Sequence, residues 1–358
     1  MRNITKILFV AAVVLLPMAI AAQDFKWSVD FGTIFDNREG EDKYEPTKTT
    51  FQTVLAPEIG IALDGKHRIM GGAVWKQPIG SEWDGYKISP TLYYRFETPA
   101  LRFSFGMFPR TQLLREQPDV FWNDSLKYNQ RNIRGALVQY VHSNGFFEAF
   151  IDWRSMQSES RREAFNINAS GEWSPRGGIF NIGAHAMMNH FAKTSHPSDD
   201  EYIVDNIIAN PYFGVNLSNR TALDSLSVKA GAVVELLRYR LYGGWQTKCG
   251  FWLDAAAEWH WLGLKNTLYV GKELFTLYPT FGARLDMGQP VYQASFVNRT
   301  KVYAYIMRNH FMNLEAALDF FAAKGSFAFS QKLLLRVYLD DNLLKHKTDK
   351  TQRIANIY

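Results

Sequence analysis

The side chains that could carry out catalysis are scattered in this sequence and match no familiar catalytic motif. Glu148 and Asp152 lie four residues apart. On one face of an extended strand this spacing puts them roughly 13 Å apart, too far for paired acid–base work on one bond. The sequence contains no GxSxG nucleophile motif and no glycine-rich phosphate cradle between a strand and a helix. We therefore expect no enzyme. A hydrolase that acts on lipid or glycan through an unrecognised motif remains an alternative.

Residues that could bind a metal ion are equally sparse. His185 and Asn189 share one face of a predicted strand while His190 faces away, and the HExxH spacing is absent. Cys249 is the only cysteine, so neither a thiolate metal site nor an internal disulfide can form. The sequence predicts no metal site and no cofactor.

The charged residues become informative where they alternate with apolar ones, and Ile88–Arg110 shows this pattern best. On both sides of a short turn at residues 98–100, every second residue is apolar, and the opposite face carries Arg95, Glu97 and Arg102. Period two on both sides of a tight connection predicts a β-hairpin. Because similar strands recur along nearly the whole chain, we interpret the apolar faces as facing lipid and the charged faces as facing the lumen of an outer-membrane β-barrel.

Charges of both signs fall on the faces that we assign to the lumen. The predicted pore-lining residues are Arg95, Glu97, Arg102, Arg110, Arg134, Glu148, Asp152 and Arg154. Over all predicted lumen faces the charges nearly cancel, whereas a strongly anion-selective pore needs a surplus of Arg and Lys. Two interpretations stay open: a wet, weakly selective pore, or a lumen closed by paired charges in a barrel that serves as a scaffold. About 16 or more strands enclose a lumen that side chains alone cannot fill, which favours the pore.

Length and composition agree with a barrel behind a secretion signal. Residues 1–22 have a basic start, an apolar core and small residues at the end, which is typical of a cleaved signal peptide. Residues 23–358 would then form a single barrel domain of roughly 16 strands, at about 10 residues per strand plus connections. Aromatic residues make up 15% of the chain, yet mean hydropathy is −0.22, which suits a polar interior. The formal charge of +5 is too small to indicate a nucleic-acid partner.

Short turns and longer loops alternate along the chain and suggest its topology. If the mature N-terminus is periplasmic, tight turns such as Asp64–Gly65 fall at the periplasmic end and the longer loops at the outer end. The pattern blurs beyond Asn266, and Gly271 to Pro290 is predicted to be a long, partly apolar loop. Counting a last strand at Gln352–Tyr358 gives 18 strands, with 16 and 14 as alternatives. We predict an all-β, antiparallel up-and-down transmembrane barrel of about 16–18 strands.

The third outer loop, residues 109–131, combines charged and apolar residues. Its charged candidates are Arg115, Glu116, Asp119, Asp124, Lys127 and Arg131. One hypothesis is that this loop folds against the inner wall and forms a constriction. The alternative is an external cap or a contact with a partner protein.

Tryptophans lie near both ends of the predicted strands. Those near short turns are Trp27, Trp173, Trp259 and Trp261, and those near long loops are Trp75, Trp83, Trp153 and Trp245. Two such girdles are typical of a barrel in a bilayer, because tryptophan favours the membrane–water interfaces. Pro57 and Pro90 conflict with the predicted strands, since proline removes a ladder donor, and β-bulges at these points would resolve the conflict.

The signal, the hairpins, the aromatic girdles and the C-terminal Tyr358 together resemble Gram-negative outer-membrane porins. Several stretches are similar to uncharacterised outer-membrane barrel proteins of the Bacteroidetes: GMFPR (Gly106–Arg110), DSLKY (Asp124–Tyr128), IRGALVQY (Ile133–Tyr140) and DWRSMQSESRREAF (Asp152–Phe165). The resemblance implies an outer-membrane location. Resemblance to porins further implies a trimer whose third loop folds into the pore.

These observations lead to an expected function and to its alternatives. We expect a porin-like channel for passive diffusion of small hydrophilic solutes, narrowed by the third loop. The alternatives are a plugged barrel subunit of an outer-membrane assembly, which binds partners or glycans through its outer loops, and a secreted soluble all-β protein. Outer-membrane lipid is the expected partner. A homo-oligomer or partner outer-membrane proteins are compatible with this expectation, and nucleic acid is not expected.

Overall fold

Sixteen antiparallel β-strands close into one barrel. The computed structural model describes residues 23–345 except 41–42, 83–84 and 176–177. Each strand pairs with its neighbours in sequence, and β1 also pairs with β16, so the sheet is closed and up-and-down. The strands are β1 Gln23–Gly40, β2 Lys48–Leu63, β3 His67–Pro78, β4 Lys87–Glu97, β5 Leu101–Pro109, β6 Asn132–His142, β7 Gly145–Ser155, β8 Ala164–Trp173, β9 Phe180–Phe191, β10 Val204–Asn216, β11 Ser225–Tyr239, β12 Gln246–Trp259, β13 Leu262–Gly271, β14 Phe296–Arg308, β15 Met312–Ala323 and β16 Ser326–Asp340.

Among the residues that the structure describes, helices occur only in the connections and directly after β16. The short helices are α1 Asp124–Asn129, α2 Tyr278–Phe281 and α3 Asp341–Lys345, with 3-10 turns at Arg110–Gln112, Gly282–Arg284 and Pro290–Gln293. None of the helices in the described ranges has the length and apolar character needed to cross a membrane.

The connections divide the barrel into two ends. One end, here called the turn end, carries the N-terminus of β1 and mostly tight turns such as Asp64–Gly65. Both residues of that turn adopt positive φ angles, 47° and 72°, as a type I′ hairpin turn requires. The opposite, loop end carries two long connections, which we call loop 3 (residues 110–131) and loop 7 (residues 272–295).

The alternation predicted for Ile88–Arg110 is confirmed in β4 and β5. These strands pair with Leu92 opposite Met107. Leu92 and Phe105 are 59% and 61% exposed on the outer surface, whereas Arg95 is buried on the inner face. Apolar side chains therefore cover the outside of this hairpin and charged ones face the lumen.

The described residues form sixteen strands, and their structure shows why the pattern is unclear beyond Asn266. Asn266 on β13 and Asn298 and Thr300 on β14 lie on the outward faces and interrupt their apolar runs. The Asn266 amide donates to Thr300 Oγ1 at 2.8 Å and to Asn298 Oδ1 at 3.2 Å, so these polar groups satisfy one another. The periodicity of the sequence is therefore unclear beyond Asn266, although β13 continues to Gly271 and β14 is one strand. The predicted strand at Gln352–Tyr358 and the signal peptide at residues 1–22 lie outside the described residues.

The β-bulges predicted at the two strand prolines are not present. The register between β2 and β3 is unchanged across Pro57, where the ladder is only interrupted. Pro90 lies two residues beyond Leu92, where the pairing of β4 with β5 ends opposite Met107. The register shifts occur elsewhere, near Ser155 and Met307. A proline in this barrel is therefore accommodated by omitting ladder bonds.

Candidate functional site

Loops 3 and 7 fold into the barrel and meet in a hydrophobic core. Loop 3 contributes Val120, Phe121 and Leu126, loop 7 contributes Phe275 and Tyr292, and all five are at most 3% exposed. Inward side chains of the wall complete the core, among them Phe108, Ile133, Leu137, Phe150, Met187, Ile208 and Trp252. Packed side chains of the two loops thus occupy part of the lumen on its loop-end side. We call loops 3 and 7 together the plug.

A cluster of buried charges ties loop 3 to the wall. The Arg299 guanidinium of β14 donates to Asp319 at 2.6 Å and to Asp124 of loop 3 at 3.1 Å. Lys332 of β16 donates to Asp124 at 2.8 Å and lies 3.0 Å from Asp319. Burial by itself would raise the pKa of Asp124, but the adjacent Arg299 and Lys332 hold that pKa well below its usual range. Asp124 is therefore an ionised anchor.

The two loops also hold each other. The Tyr292 hydroxyl of loop 7 donates to Asp119 of loop 3 at 2.6 Å. The backbone N–H of Gln289 donates to the Asp119 carbonyl at 2.8 Å, and that of Asn123 donates to the Met287 carbonyl at 2.6 Å. The plug is consequently one connected unit. Loop 3 enters it between β5 and β6, and loop 7 enters it between β13 and β14.

Several predicted pore-lining residues anchor the start of loop 3. Arg110 forms a buried ion pair with Asp152 and lies over the Trp122 ring, 4.8 Å from its centroid. Glu148 accepts a hydrogen bond from the Leu114 backbone N–H at 2.8 Å. Glu148 and Asp152 lie on the inner face of β7, and together with Arg110 they hold the start of loop 3 against the wall.

The remaining inward residues among those predicted to line the pore lie nearer the turn end or contact loop 7. Arg95 donates to Glu97 at 3.1 Å, and Arg102 lies 3.3 Å from the same carboxylate. Arg154 reaches loop 7 and donates to the Ala283 carbonyl at 3.3 Å. Opposite charges thus neutralise one another around the wall.

Arg134 does not line the lumen, and its prediction is wrong. It is exposed on the outward face of β6. The inward face of this strand carries Ile133 and Leu137, which pack against the plug at 0% and 1% exposure. The assumption that an apolar face looks at lipid fails where the lumen itself holds a hydrophobic core.

The six charged residues predicted for loop 3 have different surroundings. Asp119 and Asp124 belong to the buried contacts described above. Arg131 donates to Asp30 of β1 at 2.9 Å. The other three border a cavity on the turn-end side of the loop: Arg115, Glu116 and Lys127. Loop 3 therefore crosses the lumen and contacts opposite parts of the wall.

The tryptophans predicted for a membrane girdle lie outside the lumen at both ends of the barrel. At the turn end are Trp27, Trp173, Trp259 and Trp261, and at the loop end are Trp75, Trp153 and Trp245. Trp173, Trp259 and Trp261 are each more than half exposed. Trp83 lies outside the described residues.

The outward face of the wall carries a hydrogen-bonded histidine–aspartate pair at the loop end. His190 near the end of β9 lies opposite Asp205 near the start of β10, and Nδ1 of the imidazole is 2.7 Å from Oδ1 of the carboxylate. The alternation of β9 and β10 puts both residues on the face that carries Ile182 and Phe213, each more than half exposed. Arg240 binds the other carboxylate oxygen at 3.2 Å.

This pair has the geometry of a general base with its orienting acid. When Nδ1–H donates to the carboxylate, Nε2 is the ring nitrogen that can accept a proton, and Asp205 stabilises the imidazolium that results. Arg238 lies opposite Asp205 on the outward face and adds positive charge beside it. In the described ranges no serine, threonine or cysteine hydrogen-bonds to His190. The arrangement thus suits activation of a water molecule.

From the sequence, His190 is predicted only to face away from His185 and Asn189. Its partner Asp205 could not be predicted, because the residue opposite His190 depends on where β10 begins after the connection at residues 192–203. The inward His185 packs against the plug instead, with its ring centroid 5.8 Å from that of Phe121. Within the described part of the chain, no group of three or more His, Cys, Asp or Glu side chains could hold a metal ion.

Comparisons with known proteins concern both family and fold. The model of the lipid A 3′-O-deacylase-type family matches residues 19–346. No curated protein matches the sequence.

Three of the solved structures that are similar to this chain have low sequence identity to it. OccAB1 of Acinetobacter baumannii has 9% identity and a TM-score of 0.52, covering 89% of this chain and 97% of that one. A loop deletion mutant of OmpT, an outer membrane protein of Vibrio cholerae, has 10% identity and a TM-score of 0.51, with 89% and 100% coverage. An anion-selective porin from Comamonas acidovorans has 12% identity and a TM-score of 0.50, with 89% and 99% coverage. These likenesses show a porin-like barrel fold.

Proposed function

The chain belongs to the lipid A 3′-O-deacylase-type family, and from this premise we propose that it is an outer-membrane hydrolase of lipid acyl esters. The family assignment contradicts the expectation of no enzyme, which rested on missing motifs. The observation that carries the proposal is the His190–Asp205 pair on the lipid-facing side of the wall. The substrate class, lipid A, comes from the family description alone.

The position of the pair suits a substrate in the outer leaflet. Outer-membrane barrels keep short turns in the periplasm and longer loops outside, so the loop end of the wall meets the outer leaflet. His190 and Asp205 lie at this end on the surface that lipid covers. Arg238 and Arg240 beside them offer guanidinium groups, which bind the phosphates of an anionic headgroup well.

The chemistry that follows is hydrolysis of an ester by an activated water. His190 Nε2 takes a proton from water as the water oxygen attacks the ester carbonyl, and a tetrahedral intermediate forms. The intermediate collapses, the sugar oxygen leaves, and it receives the proton back from His190. The products are a free fatty acid and a sugar hydroxyl. Asp205 holds the imidazole in the required tautomer throughout.

The test is deacylation of lipid A by the purified protein in mixed micelles, followed by mass spectrometry. His190→Gln should lower the rate by about 100-fold or more, since a positioned general base contributes about 10²–10⁴-fold. The matched control is His260→Gln, which removes another histidine near an aspartate, 3.6 Å from Asp224 but at the turn end. Deacylation that His190→Gln leaves intact, or an inactive wild-type protein, would rule the proposal out.

A second function, passive diffusion of small hydrophilic solutes, is favoured by polar cavities in the turn-end half of the lumen. One of about 260 Å³ lies under loop 3, and another of about 210 Å³ lies near Arg95 and Glu97. Because the plug occupies part of the lumen on its loop-end side, we infer that solutes pass only when loop 3 or loop 7 moves. Loop 3 would then act as the constriction, with Arg115, Glu116 and Lys127 at its border. A plugged scaffold that conducts nothing is the alternative to this second function.

A further inference from the structure

We propose that the cavity between loop 3 and the wall of β12–β16 binds a small acidic sugar, a monosaccharide that carries a carboxylate or a phosphate. We call this cavity the turn-side cavity. It lies inside the barrel, on the turn-end side of loop 3, whereas His190 and Asp205 lie outside. The inference therefore goes beyond ester hydrolysis and does not depend on it.

The size of the turn-side cavity suits a ligand larger than a few waters. Its volume is about 260 Å³, compared with the roughly 30 Å³ that one water occupies in the liquid. Loop 3 contributes Arg115 and Trp122, and the wall contributes charged, amide and aromatic side chains. Ligand sites typically combine such aromatic surface with a few placed polar groups.

Two cations around the cavity are held less closely by carboxylates than the others. The other cations nearby each have a carboxylate within 3.5 Å: Arg308 with Glu258, Lys301 with Glu315, and Lys127 with Glu116. Lys265 has its nearest carboxylate, Asp254, at 4.0 Å, and 42% of its side chain is exposed. Arg115 donates to the Leu114 carbonyl at 3.3 Å and lies over the Phe146 ring, 5.4 Å from its centroid, and among the described residues no carboxylate forms an ion pair with it. An anionic group in the cavity would give Arg115 a charged partner and Lys265 a closer one.

A donor and an acceptor facing each other across two strands favour a hydroxyl group. Arg308 of β14 and Asn313 of β15 are opposite in register, and both line the cavity. Arg308 Nε and Asn313 Oδ1 are buried, and neither has a hydrogen-bond partner within the described ranges. Asn313 is only 2% exposed. A hydroxyl group can accept from the first and donate to the second, so one sugar hydroxyl satisfies both.

Two fixed tyrosine rings offer an apolar surface beside these polar groups. The hydroxyls of Tyr303 and Tyr305 both donate to Glu258, at 2.9 Å and 3.1 Å, which holds the side chains in place. Their ring centroids are 5.4 Å apart. The C–H face of a sugar ring is apolar and packs on such aromatic surface. A bare phosphate ion would use the cations but leave the tyrosines and the Arg308–Asn313 pair without a role.

The test is isothermal titration of the full-length protein in detergent with four probes. D-glucuronate and glucose 6-phosphate should bind, glucose should bind at least 10-fold more weakly, and inorganic phosphate should not compete. The two acidic probes also show whether the carboxylate or the phosphate form is preferred. Lys265→Met should weaken both acidic sugars about 10-fold or more and leave glucose unchanged. Asn313→Leu should weaken all three sugars.

The matched control is Lys229→Met, another lysine of the lumen, which pairs with Glu172 at 2.8 Å outside this cavity. It should bind like the wild-type protein. The proposal is overturned if a correctly folded barrel, judged by its heat-modifiable mobility, binds neither acidic sugar at millimolar concentration. It is also overturned if Lys265→Met and Asn313→Leu change nothing, or if inorganic phosphate competes as well as the phosphosugar. Each of these results would leave the His190 proposal standing, because its assay reads ester hydrolysis on the outer surface.

Discussion

At the scale of single residues, Asp286 of loop 7 is a carboxylic acid enclosed in the plug. It is 0% exposed, and neither of its carboxylate oxygens accepts a hydrogen bond from the described residues. Burial raises its pKa well above the usual value and nearby Glu235 adds to this, while Arg154 and Lys248 act in the opposite direction. The neutral acid is consequently the form that fits the closed plug.

The resulting prediction is that the packing of loop 7 inside the barrel becomes less stable as the pH rises. A carboxyl group whose pKa is raised in the folded state stabilises that state fully at low pH and progressively less above its ordinary pKa, by up to about 1.4 kcal/mol per pH unit. Asp286→Asn should remove this dependence and keep loop 7 protected at alkaline pH. Hydrogen exchange of the amides of loop 7 between pH 5 and 9 measures how the stability of this packing changes with pH. Asp200→Asn, an exposed site, is the control, and parallel pH profiles for the wild type and Asp286→Asn would refute the prediction.

The orientation of most single residues could be predicted from alternation, and the exceptions share one cause. Arg95, Glu148 and Asp152 face inward as their strands predicted. Arg134 faces outward because the inward face of β6 packs against the hydrophobic plug at the loop end. That face therefore needs apolar side chains instead of polar ones. The sequence of β6 alone does not show which segment packs against its inward face, so this exception could not be predicted.

At the scale of elements, an arginine of the wall contacts several carboxylates at the base of loop 3. Arg299 lies within 3.4 Å of carboxylates on Asp119, Asp124 and Asp319. Lys332 also contacts Asp124 and Asp319, and Arg38 of β1 lies 3.4 Å from Asp124. Removing one partner from a buried ion cluster leaves charge without compensation and is strongly destabilising.

Arg299→Met is therefore predicted to weaken the docking of loop 3 by about 3–5 kcal/mol. Amides of residues 119–128 should exchange faster, while those of the strands should stay protected. Lys26→Met is the matched control, because Lys26 forms a 2.8 Å ion pair with Asp341 at the turn end, away from the plug. Equal exchange in the two variants would show that the hydrophobic core alone holds loop 3.

The strands could be predicted from sequence much better than the partners of the loops. Period-two alternation predicted the barrel and becomes unclear beyond Asn266, because Asn266, Asn298 and Thr300 face outward and bond to one another. The length and mixed character of loops 3 and 7 were visible too. Their contact with each other was not, because residues far apart in sequence, such as Asp119 and Tyr292, meet only in the folded barrel.

At the scale of the whole molecule, the closed ring of strands and the plug are separable structures. The ring is joined by strand pairing all the way round, including β1 with β16. The plug is attached through side chains and through the ends of β5, β6, β13 and β14. A barrel without part of its plug should therefore keep its strands, which is what makes a test of conduction interpretable.

Deleting residues 114–124 is predicted to raise single-channel conductance in a planar bilayer. The deletion removes Val120, Phe121 and the Asp124 anchor, and with them much of the packing of the plug on the loop-end side of the lumen. The matched control deletes residues 194–201, in the polar connection between β9 and β10. If the deleted barrel keeps heat-modifiable mobility and its conductance is unchanged, loop 3 does not control passage and the barrel is a closed scaffold. Because His190 and Asp205 lie on the outer surface, lipid A deacylation should survive the loop 3 deletion in either case, which separates the role of the wall from that of the lumen.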